Sequence, residues 1–171
     1  MKKVLSLVLA LVLVLGCVSA LAEGAVKLGQ VDFAAHGTKC FAVITVAMQD
    51  DKIAAAYIDE FQWFGKDDVV GVPNSDAGFG ESYPEGKVLG SKRVNAAYYS
   101  NNMATKAGST VALDANFEAI EAFAAGKTIA ELEAAIEGKT AEEMVDAVSG
   151  CTLVDTLGYV KGLLEAAKAA Q

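Results

Sequence analysis

The sequence predicts a single α+β domain, in which a small antiparallel sheet formed by residues of about 25–64 packs against C-terminal helices. Two observations support this class. Residues 25–64 are rich in β-branched and aromatic residues and partly alternate apolar with polar positions, as half-buried strands do. Residues after 90 form Ala- and Glu-rich runs with apolar residues at helical spacing, separated by capping signals.

The first 22 residues have the pattern of a secretory signal peptide. A basic start at residues 1–3 precedes an apolar run, and a small-x-small cleavage site ends at Ala22. The apolar run is shorter than the roughly 20 residues that a membrane span requires. We therefore expect residues 1–22 to be removed, leaving residues 23–171 as one secreted or extracytoplasmic domain. The alternative is a lipoprotein signal, since the four residues ending at Cys17 resemble a lipobox and would put a lipid anchor there.

The charge of the chain limits its partners. The full sequence has a formal net charge of −8, and residues 1–22 hold two lysines and no acid. The expected mature chain therefore carries 12 basic and 22 acidic residues, a net charge of about −10. This balance argues against nucleic acid, which requires clustered cations. It also argues against electrostatic docking on anionic lipid, so a lipid anchor would be the domain's membrane contact.

Three strands are expected in the N-terminal half, over residues 25–33, 39–47 and 53–64, with a polar turn at residues 49–52. Residues 65–90 then contain six glycines and both prolines and show no periodicity. We expect a surface loop there, and a lid over a ligand is the alternative.

The helices are predicted from their caps. Ser91 is expected to cap a helix over residues 91–106, and Asp114 a helix over residues 115–125. Gly-Lys-Thr occurs at residues 126–128 and again at 138–140, each time followed by Glu three positions after the Thr. This spacing is that of a capping box and lacks the earlier Gly of a phosphate-binding loop. A last amphipathic helix is expected over residues 153–169.

The stretch over residues 145–152 interrupts this helical region. Its valines predict a short buried extension, Ser149 and Gly150 a tight turn, and Thr152 the start of the last helix. A hydroxyl at such a position is suited to a phosphate, because helix N-termini favour anions. The alternative is that Ser149, Thr152 or Asp155 simply caps the helix.

The motif Asp146-x-x-Ser149-Gly150-Cys151-Thr152 resembles the Asp-x-x-Ser/Thr-Gly-Ala-Thr signature of FMN-binding domains, with Cys151 in place of Ala. That family includes the C subunit of sodium-pumping NADH:quinone oxidoreductases and small extracellular flavoproteins. In its covalently modified members, a flavin transferase joins the phosphate of FMN to the last Thr of the signature. The resemblance therefore implies FMN as cofactor and Thr152 as its attachment residue, with the other four residues completing the site.

A second stretch, over residues 43–60, also resembles this family. It has a valine-rich strand, an acidic turn with Asp51-Lys52-Ile53, and a following strand that ends in Asp59-Glu60. Trp63 lies just beyond and is a candidate for stacking on the flavin ring. A place in the core or at its rim is the more common role of such a residue.

The cysteines and histidine limit the remaining chemistry. Cleavage after Ala22 leaves Cys40 and Cys151, which either form a disulfide, as the even count in an exported chain favours, or remain two buried free thiols. The chain has no Cys-x-x-Cys and a single His, so no metal site is expected. No catalytic acid–base or nucleophile constellation is readable either.

The sequence therefore predicts an exported FMN-binding electron carrier rather than a catalyst with its own acid–base residues. The resemblance implies a flavin transferase and a membrane redox partner as its partners. The alternative is a secreted or cell-surface binding module with the same fold and no covalent flavin.

Overall fold

The fold is a four-stranded antiparallel sheet with five helices, in a computed structural model that describes residues 24–75 and 84–170. The sheet order is β1 (Lys27–Phe33), β2 (Cys40–Gln49), β3 (Lys52–Gly65) and β4 (Lys87–Ser91). The helices are α1 (Ala96–Ala107), α2 (Leu113–Ala124), α3 (Ile129–Ile136), α4 (Ala141–Ala147) and α5 (Thr156–Ala169). Helices α2 and α5 pack on the sheet, so the predicted α+β class is confirmed.

Some predictions fall on residues that the structure does not describe. The signal peptide ending at Ala22, the lipobox at Cys17 and the central part of the expected loop, residues 76–83, are among them. Within the described residues, no helix combines the length and apolar character needed to cross a membrane.

The central hairpin follows from the side-chain alternation of β2. Ala42, Ile44 and Val46 are fully buried, while the residues between them are partly exposed. A two-residue turn at Asp50 and Asp51 joins β2 to β3, with φ of 50° and 69°. Two successive positive φ values give a turn whose twist matches the paired strands, and Asp is among the residues that tolerate them.

Strand β4 corrects the prediction for residues 65–90. Its residues pair with Phe61–Gly65 of β3, so the sheet extends beyond residue 64. Gly90 obscured this strand in the sequence. A Cβ at Gly90 would lie 2.7 Å from the ring of Phe64, so the glycine makes room for that ring rather than marking a loop.

Ser91 also has a different role from the one predicted. It ends β4, opposite Phe61, and its hydroxyl donates to Asp59 Oδ2 at 2.6 Å. Helix α1 begins only at Ala96, with Asn95 at the N-cap position. The Ser91 hydroxyl also accepts the backbone N–H of Val94 at 3.0 Å, so Ser91 caps the turn over residues 92–95 that leads into α1 and not α1 itself.

The capping boxes at Thr128 and Thr140 are confirmed. The remaining boundaries shift. Asp114 lies inside the first turn of α2, because that helix begins at Leu113. Helix α4 continues through Ala147, so the expected extended segment at residues 145–148 is mostly helical. Helix α5 begins at Thr156 rather than near residue 153, because residues 151–153 are held by other contacts described below.

Glycines allow α5 to lie close to the N-terminal part of the chain. Added Cβ atoms at Gly158 and Gly162 would lie 2.2 Å from the carbonyl oxygen of Ala35 and 2.3 Å from Ile44 Cδ1. Gly29 of β1 likewise faces α5, since its Cβ would lie 2.0 Å from the carbonyl oxygen of Ala166. Close backbone approach therefore fixes the position of α5 on β1 and β2.

We predict that Gly158→Ala lowers the free energy of unfolding by about 1–3 kcal/mol, because the added methyl would overlap the backbone carbonyl of Ala35, which cannot move aside as a flexible side chain could. Intrinsic helix propensity alone predicts the opposite sign, a gain of about 1 kcal/mol. Urea denaturation measures the difference. At exposed Lys161 of the same helix, the matched pair Lys161→Gly and Lys161→Ala should show the ordinary ranking, with Ala more stable. A stabilised Gly158→Ala variant would contradict the close approach.

Candidate functional site

A cavity of about 600 Å³ lies between α1 and the segment that precedes α5. One wall is the face of α1 that carries Tyr99, Asn102, Met103 and Lys106, and residues 108–110 continue it. The opposite wall is formed by residues 152–155 and Tyr159. His36, Gln62 and Lys92 contribute from the loop after β1, from β3 and from the segment after β4. This volume is in the range typical of small-ligand sites, roughly 300–1,000 Å³.

Thr152 lies in this cavity and is exposed. Its position is fixed by Asn116 of α2, whose side-chain oxygen accepts hydrogen bonds from the Thr152 backbone N–H at 2.6 Å and from the Thr152 hydroxyl at 3.3 Å. Asn116 is fully buried, and its amide group donates to the carbonyls of Val111 at 3.2 Å and Ala112 at 2.9 Å. One buried amide thus ties the residue-152 segment to the loop that follows α1.

The other residues of the signature do not line the cavity. Asp146 is exposed on α4, and Ser149 is exposed in the turn after it. Gly150 has φ of +86°, a conformation that favours glycine. Cys151 is buried, with its sulfur 3.0 Å from the hydroxyl of Thr156. These four residues therefore form the end of α4 and the turn that brings Thr152 to the cavity.

Cys40 and Cys151 are both free thiols, so the disulfide alternative is not the one found in this structure. The Cys40 thiol donates instead to the carbonyl of His36. Burial and the nearby Glu60 carboxylate raise the pKa of Cys40 from 9.0 to about 11. At neutral pH Cys40 is therefore a protonated thiol with little nucleophilic character.

Trp63 is not among the residues that line the cavity. It borders a second hollow of about 670 Å³ on the outer face of the sheet, together with Phe41, Phe61 and Leu89, which is the rim position given above as its more common role. Gln62 borders both spaces. The aromatic residues that line the Thr152 cavity are Tyr99 and Tyr159.

A buried polar cluster forms the inner part of the cavity wall. Lys92 is 1% exposed and pairs with the carboxylate of Glu60, which is fully buried on β3. Tyr159 of α5 donates to the same carboxylate at 2.9 Å. The ammonium of Lys92 also lies 4.4 Å from the ring centre of Tyr99. We call Glu60, Lys92, Tyr99 and Tyr159 the buried cluster.

The protonation states in the buried cluster follow from its contacts. Burial opposes the charge of Lys92, but the Glu60 carboxylate outweighs it and raises the pKa of the ammonium. Burial and the same carboxylate also raise the pKa of Tyr159, so that its phenol remains a donor. The cluster therefore holds one cation and one anion in an apolar surrounding.

His36 has a partner that the sequence did not reveal. Its Nδ1 contacts the Asp155 carboxylate, and both residues line the cavity near Thr152. The pair is about one-third to one-half exposed, so it forms part of the cavity rim.

The charged groups that line the cavity are Lys92, Lys106, Asp155 and, when protonated, His36. Lys92 is paired with Glu60 behind it, and Asp155 contacts His36, so within the described residues Lys106 is the lining charge that forms no ion pair. The full chain has a net charge of −8. An unpaired ammonium at the cavity wall of an acidic protein favours a ligand that carries negative charge there.

Asn116 and Lys92 were not identified from the sequence, and Glu60 was noted only as part of the Asp59-Glu60 stretch. Asn116 shares the stripe of α2 that contains Ile120 and Ala124, so it is a polar residue on a buried face. Glu60 lies on the same face of β3 as buried Ile58, two positions away. A buried acid requires a cation or donors, and Lys92 and Tyr159 provide them.

Metal chemistry has no visible site in the residues that the structure describes, since no three His, Cys, Asp or Glu side chains cluster there as ligands. Comparison of the chain with family models, with curated proteins and with solved structures gives no match. The likeness to FMN-binding domains therefore rests on the residues quoted above.

We predict that Asn116→Ala destabilises the protein by about 2–3 kcal/mol, because the Thr152 N–H and the Val111 carbonyl lose their side-chain partner. Thr152→Ala is the comparison variant and should cost less, about 0.5–1 kcal/mol, since it removes only the hydroxyl's hydrogen bond to Asn116. Urea denaturation of both variants measures the difference. Equal stability of the two variants would show that Asn116 does not hold the segment.

The raised pKa of Cys40 predicts slow alkylation. In a Cys151→Ala background at pH 8, its thiolate should be about 100-fold less populated than that of an ordinary thiol with a pKa of 9.0. The iodoacetamide rate should continue to rise towards pH 11, and unfolding in urea should restore the ordinary profile. A folded-state rate that levels off near pH 9 would contradict the burial of this thiol.

Proposed function

We propose that this protein is an exported FMN-binding flavoprotein that carries electrons, with the phosphate of FMN joined to the hydroxyl of Thr152. The observation that carries the proposal is the position of Thr152. The last residue of the signature is the one that lies exposed in a cavity that Lys106 also lines, while the rest of the signature builds the turn beneath it.

The end of the cavity next to Thr152 suits a phosphate. Asn116 links Thr152 to Val111 and Ala112, so Thr152 lies near the loop where α1 ends. Lys106, Ser109 and Thr110 line the cavity in that region, and the Ser109 hydroxyl donates to the Val111 carbonyl at 3.0 Å. The Lys106 ammonium and the Thr110 hydroxyl are donors from which phosphate oxygens accept.

The other end of the cavity suits a flat ring. Tyr99 lies seven residues before Lys106 on α1, which places it two turns or about 10 Å further along the helix. Apolar Met103, Leu113 and Leu153 line the space between these ends. The chain's residues therefore match both parts of FMN, with polar donors for its phosphate and apolar or aromatic surface for its ring.

In this proposal FMN and the protein have separate roles. Bound FMN would supply the redox chemistry, and the protein would bind it, orient it and adjust its electronic surroundings. Thr152 would be an attachment residue and would take no part in turnover. The partners implied are a flavin transferase, a membrane redox partner and an electron acceptor outside the cell. Membrane association would come only through the lipid anchor, if Cys17 is processed.

Intact mass of the exported protein tests the attachment. We predict that expression with a flavin transferase adds the mass of FMN less one water, because a phosphoester forms with loss of water. Thr152→Ala should remove the addition. Thr105→Ala, an exposed hydroxyl on α1 that does not line the cavity, should keep it.

An unmodified mass, in a host that does flavinylate another exported domain, would contradict the proposal. The cell-surface binding module without covalent flavin would then be the better account of this fold. Addition retained in Thr152→Ala would instead show that a different residue carries the cofactor.

A further inference from the structure

The charged pair in the buried cluster is oriented with respect to the cavity. Lys92, Tyr99 and Tyr159 line the cavity, whereas their common partner Glu60 does not. The ammonium of Lys92 lies 4.4 Å from the ring centre of Tyr99, which lines the cavity, so the cation is the member of the pair on the cavity side. Any ligand in this cavity meets the positive end of a fixed dipole.

The structure holds this charge firmly in place. Lys92 is 1% exposed, its ammonium contacts Glu60, and Glu60 also accepts from Tyr159. The backbone N–H of Lys92 donates to the Glu60 carbonyl at 2.7 Å, which fixes the residue at both ends. A buried pair of this kind is seldom retained for stability alone, since removing two charges from water costs more than an apolar replacement would.

We propose that Lys92 is the cation by which the cavity selects the negatively charged form of its ligand, with Glu60 and Tyr159 as positioning residues. The inference rests on the proposed function, because it concerns the ring end of FMN at Tyr99. An oxidised flavin ring is neutral. It takes two electrons from the redox partner and one proton from water, and so gains one negative charge. A fixed cation beside the ring favours this reduced form and raises its midpoint potential.

The midpoint potential of the flavinylated full-length protein tests the proposal. In Lys92→Met the equilibrium constant for reduction of the flavin should fall about tenfold. This corresponds to a midpoint potential lower by about 30 mV for a two-electron couple. Lys92→Arg keeps the charge and should restore most of the potential. Lys161→Met removes an exposed lysine on α5 and is the matched control, with no shift expected.

Lys92→Met leaves the Glu60 charge buried without its partner, so this variant alone could fail to fold. A second variant separates the effect on the potential from an effect on folding. The double variant Lys92→Met with Glu60→Gln removes both charges and retains an acceptor for Tyr159. It should fold and should still show a lower potential than the parent, since the positive end of the dipole is gone. The visible flavin spectrum confirms in each case that the cofactor is bound.

The outcomes separate the two proposals. A flavin attached at Thr152 whose potential is the same in the parent, Lys92→Met and the double variant would overturn the role of Lys92 and leave the proposed function standing. No flavin on Thr152 by mass, together with no binding of free riboflavin in a fluorescence titration, would overturn the proposed function and this inference with it.

Discussion

The ion pair between Lys92 and Glu60 joins the three parts of the molecule that define the cavity. Glu60 comes from β3 within the sheet, Lys92 from the segment between β4 and α1, and Tyr159 of α5 donates to the same Glu60 carboxylate. All three are buried, so the loss of one partner would leave a charge or donor without compensation in an apolar region. The relative positions of β3, α1 and α5, and therefore the shape of the cavity, depend on this contact.

Contacts of Asp59 and Arg93 next to this ion pair also join β3 to the segment after β4 and to α2. Asp59 accepts from the Ser91 hydroxyl and the Arg93 backbone, and Arg93 reaches the Ile58 carbonyl and the carboxylate of Glu121 on α2. The acidic pair on the third strand therefore has a structural role, since Asp59 and Glu60 hold the last residue of β4 and the two residues that follow it. On the far side of the cavity, Asn116 has the equivalent role for Thr152. The cavity is thus bounded by two polar anchors with an apolar space between them.

Local signals predicted much of the fold from the sequence. Alternation gave the three-stranded part of the sheet, and the Thr–Glu spacing gave both capping boxes, because these depend on residues close in the chain. The predictions for β4 and for the start of α5 were wrong. Gly90 marks the place where the Phe64 ring packs and not a loop, and the side chain of Asn116 on α2 holds Thr152 outside the last helix. The signature pointed to Thr152, and the structure places it in a cavity. Lys92, Asn116 and the His36–Asp155 pair could not be found, since their partners lie about 30 or more residues away in sequence.

The central claim is that the cavity beside α1, and not the aromatic hollow on the outer face of the sheet, receives the flavin. Backbone amide chemical shifts of the flavinylated and unflavinylated protein, compared by NMR, test this most directly. We predict the largest differences at Tyr99, Asn102 and Leu153, with little change at Phe41 and Trp63, which border the other hollow. Large differences at Phe41 and Trp63, without any at Tyr99, would contradict the account.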